Sequence, residues 1–255
     1  MSDLRDRIAS IHLVTNTDGS TFSAYVAEPR GEVRGAVVVI HEIWGLVEHI
    51  TGIADRFAAE GYLAIAPDLL SEIGIEANIG LELQEIMFNA DPAVRSAGQP
   101  RLRDALAPLT TPEYSAWALA SLRRTVDELV ARPVVDGRIA VVGFCFGGSH
   151  SFALAAADAR IRAAVPFYGS APNEAAIAGI GCPILAFYGD GDSTLIDALP
   201  TLTAQMAAAG VNFTPTVFSG VGHAFFNDTN PVTYNAEVAT VAWEQTLAFL
   251  RRTLG

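Results

Sequence analysis

Short runs rich in β-branched and small apolar residues recur through the chain, separated by longer stretches in which apolar side chains return every three or four positions. The runs are GAVVVIH (35–41), GYLAIAP (61–67), RIAVVGF (138–144), IRAAVPFYG (161–169), CPILAFYGD (182–190) and NFTPTVFSG (212–220). Near-continuous apolar content over so few residues is what a strand covered on both faces requires. The stretches 50–60, 112–131, 148–157, 195–209 and 231–250 carry helical spacing instead. Strand, helix, strand from residue 35 onward predicts a parallel sheet with helices on both sides, an α/β fold. Ahead of it, IASIHLVT and FSAYVAEP, separated by NTDGST, read as an antiparallel hairpin at the sheet edge. The expected sheet then has about eight strands.

Residues 69–111 break this rhythm, being too long for an ordinary strand-to-helix connection. They predict one or two additional helices, one of them around 79–88, and they carry Arg95, Arg101 and Arg103. Such an excursion above a sheet serves either as a pocket wall or as a packing insertion. No repeat, low-complexity tract or linker interrupts residues 1–255, so one domain is expected.

Bulk composition narrows the chemistry. A hydrophobic content of 51% suits a large buried core. The 16 basic residues are all arginine and face 28 acids, a formal charge of −12 that repels nucleic acid and anionic membranes alike. Without lysine, neither Schiff-base nor P-loop lysine chemistry is available. The apolar runs are far shorter than the roughly 20 residues of a membrane span, and MSDLRDRIAS lacks the apolar centre of a secretory leader, so a cytoplasmic protein is expected. Cys145 and Cys182 show no CxxC spacing; reduced thiols fit better than a disulfide or a structural zinc site.

Cys145 stands in VVGFCFGGSH, between a β-branched run and an alanine-rich helical stretch. A nucleophile on a sharp strand-to-helix turn needs small residues two places to either side, and Gly143 and Gly147 supply them. Helix amides from Phe146 onward would lend partial positive charge to a thiolate or an oxyanion. The competing reading is a buried cysteine on a turn built for close packing. A thiol near its ordinary pKa is ionised to only roughly a few per cent at neutral pH, so efficient acyl transfer needs a base. His12, His41, His49 and His150 read as packing or surface residues. His223, in GVGHAFF after the last strand run, can reach over the C-terminal edge of the sheet. Asp190 and Asp192 in FYGDGDST follow the preceding strand, and Asp192 is taken as the orienting acid, although Asp-Gly also builds turns. The spacing there does not fit a calcium loop, because Leu195 stands where glycine is needed.

VVVIHEIWGL places Glu42 at the end of the first parallel strand, in the loop that supplies a second oxyanion amide in such folds. Gly45 four places after His41 excludes a zinc-protease helix. A carboxylate near a thiol raises its pKa, so Glu42 could keep Cys145 protonated; a solvated loop acid is the plainer alternative.

HEIWG (41–45), PDLL (67–70), GFCFGG (143–148), YGDGD (188–192) and GHAFF (222–226) together resemble the dienelactone hydrolase (carboxymethylenebutenolidase) family of α/β-hydrolases, over roughly residues 11–250. The resemblance implies Cys145 as nucleophile, His223 as base, Asp192 as its partner and Glu42 as the acid contacting the resting thiol. It implies an oxyanion hole from the Ile43 and Phe146 amides, no metal or organic cofactor, and a small lactone or ester as substrate. The sequence departs from the best-known members after the histidine. Where they have serine and then an arginine that holds a substrate carboxylate, Ala224 and Asn227 stand here. Arg95, Arg101 or Arg103 would have to replace that clamp, with Asn227 as a further substrate-binding candidate. Without a clamp, a neutral ester or lactone would suit the site better than dienelactone. A non-catalytic binding protein on this fold, or a cysteine peptidase, are the alternative expectations.

Overall fold

The computed structural model describes residues 7–255. Among them, eight strands form one sheet in the order β1-β2-β4-β3-β5-β6-β7-β8. β1 (Arg7–Thr15) and β2 (Thr21–Pro29) are the expected antiparallel hairpin at one edge, and β2 also runs antiparallel to β4 (Tyr62–Pro67). From β4 through β3 (Gly35–Ile40), β5 (Ile139–Phe144), β6 (Ile161–Phe167), β7 (Ile184–Gly189) and β8 (Phe213–Phe218), every pairing is parallel.

The central strands are buried on both faces, and their side chains alternate between two cores. Val37 and Val39 join Ile50 and Phe57 of α1 (Glu48–Ala59) and Leu250 of α8 (Ala236–Leu254). Val38 and Ile40 join Leu122 of α4 (Pro112–Val130), Phe152 of α5 (Phe146–Ala157) and Met206 of α7 (Ser193–Ala208). Each large apolar side chain so buried contributes about 1.5–3 kcal/mol. No helix among the described residues is long and apolar enough to cross a membrane.

The 69–111 excursion contains α2 (Ala77–Met87) and α3 (Pro92–Leu106), the latter capped by Asp91, which accepts from the Ala93 amide. These helices close a third, smaller core around Trp44, Leu70, Leu83, Leu102 and Tyr114. The excursion therefore anchors the loop after β3. The last helix differs from the expected 231–250. It starts at Ala236, because Asn235 caps it by accepting from the Val238 amide, while Pro231 belongs to a turn held by the Asn230 side chain.

Candidate active site

Cys145 stands between β5 and α5 with φ 55° and ψ −112°, a conformation that costs an L-residue energy and that the surroundings must enforce. Its amide donates to the Phe167 carbonyl of β6 at 3.0 Å. The flanking glycines are obligatory. A Cβ on Gly143 would lie 2.0 Å from the Gly147 carbonyl oxygen, and one on Gly147 would lie 2.2 Å from that of Ile40. Backbone packed so closely leaves the cysteine at the apex of a sharp turn.

Burial, and after it the Glu42 charge, pushes the Cys145 thiol up to about 12; the Phe146 and Ile43 amides approaching the sulfur act in the opposite direction. The residue as a whole is still partly exposed, toward a cavity of about 410 Å³. Phe146 holds its place because its ring stacks on His41 (centroids 5.7 Å apart) and packs at a tilt against His150 (4.0 Å). His41 is fully buried, its Nε2 accepts from the Leu69 amide at 3.0 Å, and its Nδ1–H donates to the Glu42 carbonyl at 2.6 Å. Burial holds it neutral, so the ring is a fixed brace for the 41–45 loop that carries the Ile43 amide. His150 is likewise neutral, depressed to about 4 by burial, and bonds the Phe146 carbonyl at 2.9 Å.

Glu42 is buried and accepts from the Tyr168 hydroxyl at 3.1 Å and from Asn227 Nδ2 at 2.5 Å. Asn227 is itself fixed, since its Oδ1 accepts from the Thr229 amide (3.1 Å) and hydroxyl (2.7 Å). Expected as a substrate contact, Asn227 instead holds Glu42.

His223 lies in the loop after β8. Phe225 and Phe226 bury themselves beside it, Phe225 against Tyr168 and Phe226 against Phe144, and this anchors the loop while the imidazole stays exposed. Nδ1–H donates to Asp192 Oδ2 at 2.5 Å, which leaves Nε2 free as an acceptor. Asp192 occupies the N-cap position of α7, yet its side chain makes no capping bond there and is committed to the histidine. Asp190 has a separate task, accepting from the Gly220 amide at 2.8 Å to tie the β7 and β8 turns together.

Cys145, Phe146, Ile43, Asp192 and His223 all line the one cavity, with Tyr168 beside the His223 ring at 4.9 Å. The three arginine candidates do not line it. Arg95 donates to the Asn89 and Ala90 carbonyls, Arg101 pairs with Glu82 of α2 at 2.6 Å, and Arg103 is exposed on α3. The excursion does contribute to the wall, through Leu109. Nothing in PFYG marks Tyr168 in the sequence, since the stretch resembles any strand end; its positive φ of 39° and its hydrogen bond to Glu42 distinguish it in the fold. Of the other histidines, His12 bonds Ser10 on the edge strand and His49 is buried against Asp228.

Comparison with known proteins gives the family. The family model of the dienelactone hydrolase family matches residues 22–254. The chain belongs to the dienelactone hydrolase family. Within that family, it is 32% identical over 251 residues to a protein named "Putative carboxymethylenebutenolidase" from Saccharolobus solfataricus, covering 93% of this chain and 96% of the relative. A protein of the same name from Yersinia pestis is 29% identical, covering 91% of this chain and 84% of the relative. A crystal structure described as a putative dienelactone hydrolase from Klebsiella pneumoniae superposes with a TM-score of 0.76 at 27% identity, covering 95% of this chain and 98% of the other. Dienelactone hydrolases are hydrolases on the α/β-hydrolase fold, and this chain shares both the fold and the family.

Proposed function

We propose that the protein hydrolyses an enol-lactone or a small carboxylic ester through a thioester on Cys145, with His223 as base and Asp192 orienting it. The reading is supported by one cavity that gathers an elbow cysteine, two amides converging on its sulfur and a carboxylate-paired imidazole.

In the resting site the sulfur occupies the place toward which the Ile43 and Phe146 amides point. A substrate carbonyl oxygen taking that place would turn the sulfur toward the carbonyl carbon. The S–H proton passes to His223 Nε2 as the S–C bond forms, and the oxyanion is held by the two amides. Collapse breaks the ester C–O bond, and the imidazolium protonates the departing oxygen. Water then attacks the thioester while His223 takes its proton; the acid leaves and the thiolate recovers a proton from the imidazolium. Thiolate leaves a tetrahedral intermediate more readily than an amine does, so amides should be poor substrates.

The test is turnover of p-nitrophenyl acetate by the wild type, Cys145→Ala and His223→Gln. Loss of at least about a hundredfold in kcat in both variants is expected. Undiminished turnover in Cys145→Ala would end the proposal.

A further inference from the structure

A second cavity, of about 350 Å³, adjoins the first and shares Ser170, Thr194 and Leu195 with it. It lies between the residues after β6 and the first turns of α7, and its remaining walls include Ala171, Pro172, Ala198 and Leu202. Tyr188 also lines it, with a buried hydroxyl that has no hydrogen-bond partner. Among the described residues no arginine lines either cavity, and the carboxylates whose fields reach the sulfur are those of Glu42 and Asp192.

Resting on the hydrolase reading above, we propose that the substrate is uncharged, and that one apolar arm of it lodges in this second cavity. An anionic arm would leave water without gaining a counter-ion and would approach two carboxylates, and both effects oppose binding. The whole molecule acts in the same direction, since its formal charge is −12. Asn227 does not relieve this, because its amide is held between Thr229 and Glu42. Ala171, Pro172, Ala198 and Leu202 suit methylenes, and a short acyl or alkoxy chain fits within such a volume with room to spare.

The experiment compares p-nitrophenyl hexanoate with mono-p-nitrophenyl adipate, which differs in ending its chain with a carboxylate instead of a methyl group, in the wild type and in Ala198→Arg. For the wild type kcat/KM should favour the hexanoate at least tenfold at low ionic strength, and the preference should shrink with added salt as the repulsion is screened. Ala198→Arg, which sets a cation at the second cavity, should cut that preference at least threefold by raising kcat/KM for the adipate ester. Equal or better use of the adipate ester by the wild type would overturn the neutral-substrate assignment while leaving the hydrolase reading intact. An unmoved preference in folded Ala198→Arg would overturn the placement of the arm. Turnover of neither ester would overturn the hydrolase reading, and this proposal with it.

Discussion

Asn227 donates from Nδ2 to Glu42 Oε2 over 2.5 Å and so fixes a buried carboxylate beside the Cys145 thiol. The position that an arginine would occupy in the family's best-known members thus serves here to hold an acid. A like charge near a thiol favours the protonated form, and a protonated thiol resists alkylation and oxidation.

Glu42→Gln keeps the shape of the side chain and removes the charge. The Cys145 thiol, now held near 12 by burial and by Glu42, should titrate lower. Iodoacetamide at pH 9 should then alkylate Cys145 faster, by roughly tenfold for each unit the pKa falls. Peptide mapping would confirm the modified residue, since Cys182 is a second free thiol. An unchanged alkylation rate would mean that Glu42 does not govern the sulfur.

Asp192→Asn should remove the acceptor that orients His223, with a loss of about 10²–10⁴ in kcat and little change in KM. Asp190→Asn touches only the Gly220 turn and should change kcat by no more than a few-fold. Steady-state kinetics on the two variants would separate the carboxylates, and equal effects would contradict the division of roles.

Acid should weaken the fold through His150. Its folded pKa, about 4, lies below the ordinary 6.5, so the unfolded chain binds the proton more readily. The stability contribution is complete above about pH 6.5 and is lost as the pH falls toward 4, up to about 3 kcal/mol. Buried His41 shifts in the same direction. The melting temperature of His150→Gln should therefore fall less between pH 7 and pH 4.5 than that of the wild type; parallel curves would refute the assignment.

Gly143→Ala should destabilise the protein by at least about 3 kcal/mol, because its Cβ would meet the Gly147 carbonyl oxygen at 2.0 Å and Ser151 Oγ at 2.5 Å. Chemical denaturation would measure it. A variant as stable as the wild type would show that the elbow is not the tight junction described.

The parallel strands were legible because burial on both faces demands apolar runs, and GAVVVI or RIAVVGF can hardly serve otherwise. The elbow was legible for the same local reason, as glycines two places to either side are readable from sequence alone. The pairing of His223 with Asp192 was inferable from chain order. What escaped depends on contacts across the fold. His41 works by joining Leu69 to the 41–45 loop, Tyr168 by reaching Glu42 from another strand, and Asn227 by a hydrogen bond between residues far apart in the chain. Arg95, Arg101 and Arg103 were plausible by position in the excursion, but Arg95 turns to the Asn89 and Ala90 carbonyls just ahead of α3, Arg101 to Glu82 of α2 and Arg103 to solvent.

The most direct test of the account is the intact mass of the protein quenched in acid during turnover of p-nitrophenyl acetate, followed by peptide mapping. The account predicts a population heavier by one acetyl group, carried on Cys145 and absent from Cys145→Ala. Turnover with the acetyl group on another residue, or sustained by Cys145→Ala, would contradict it.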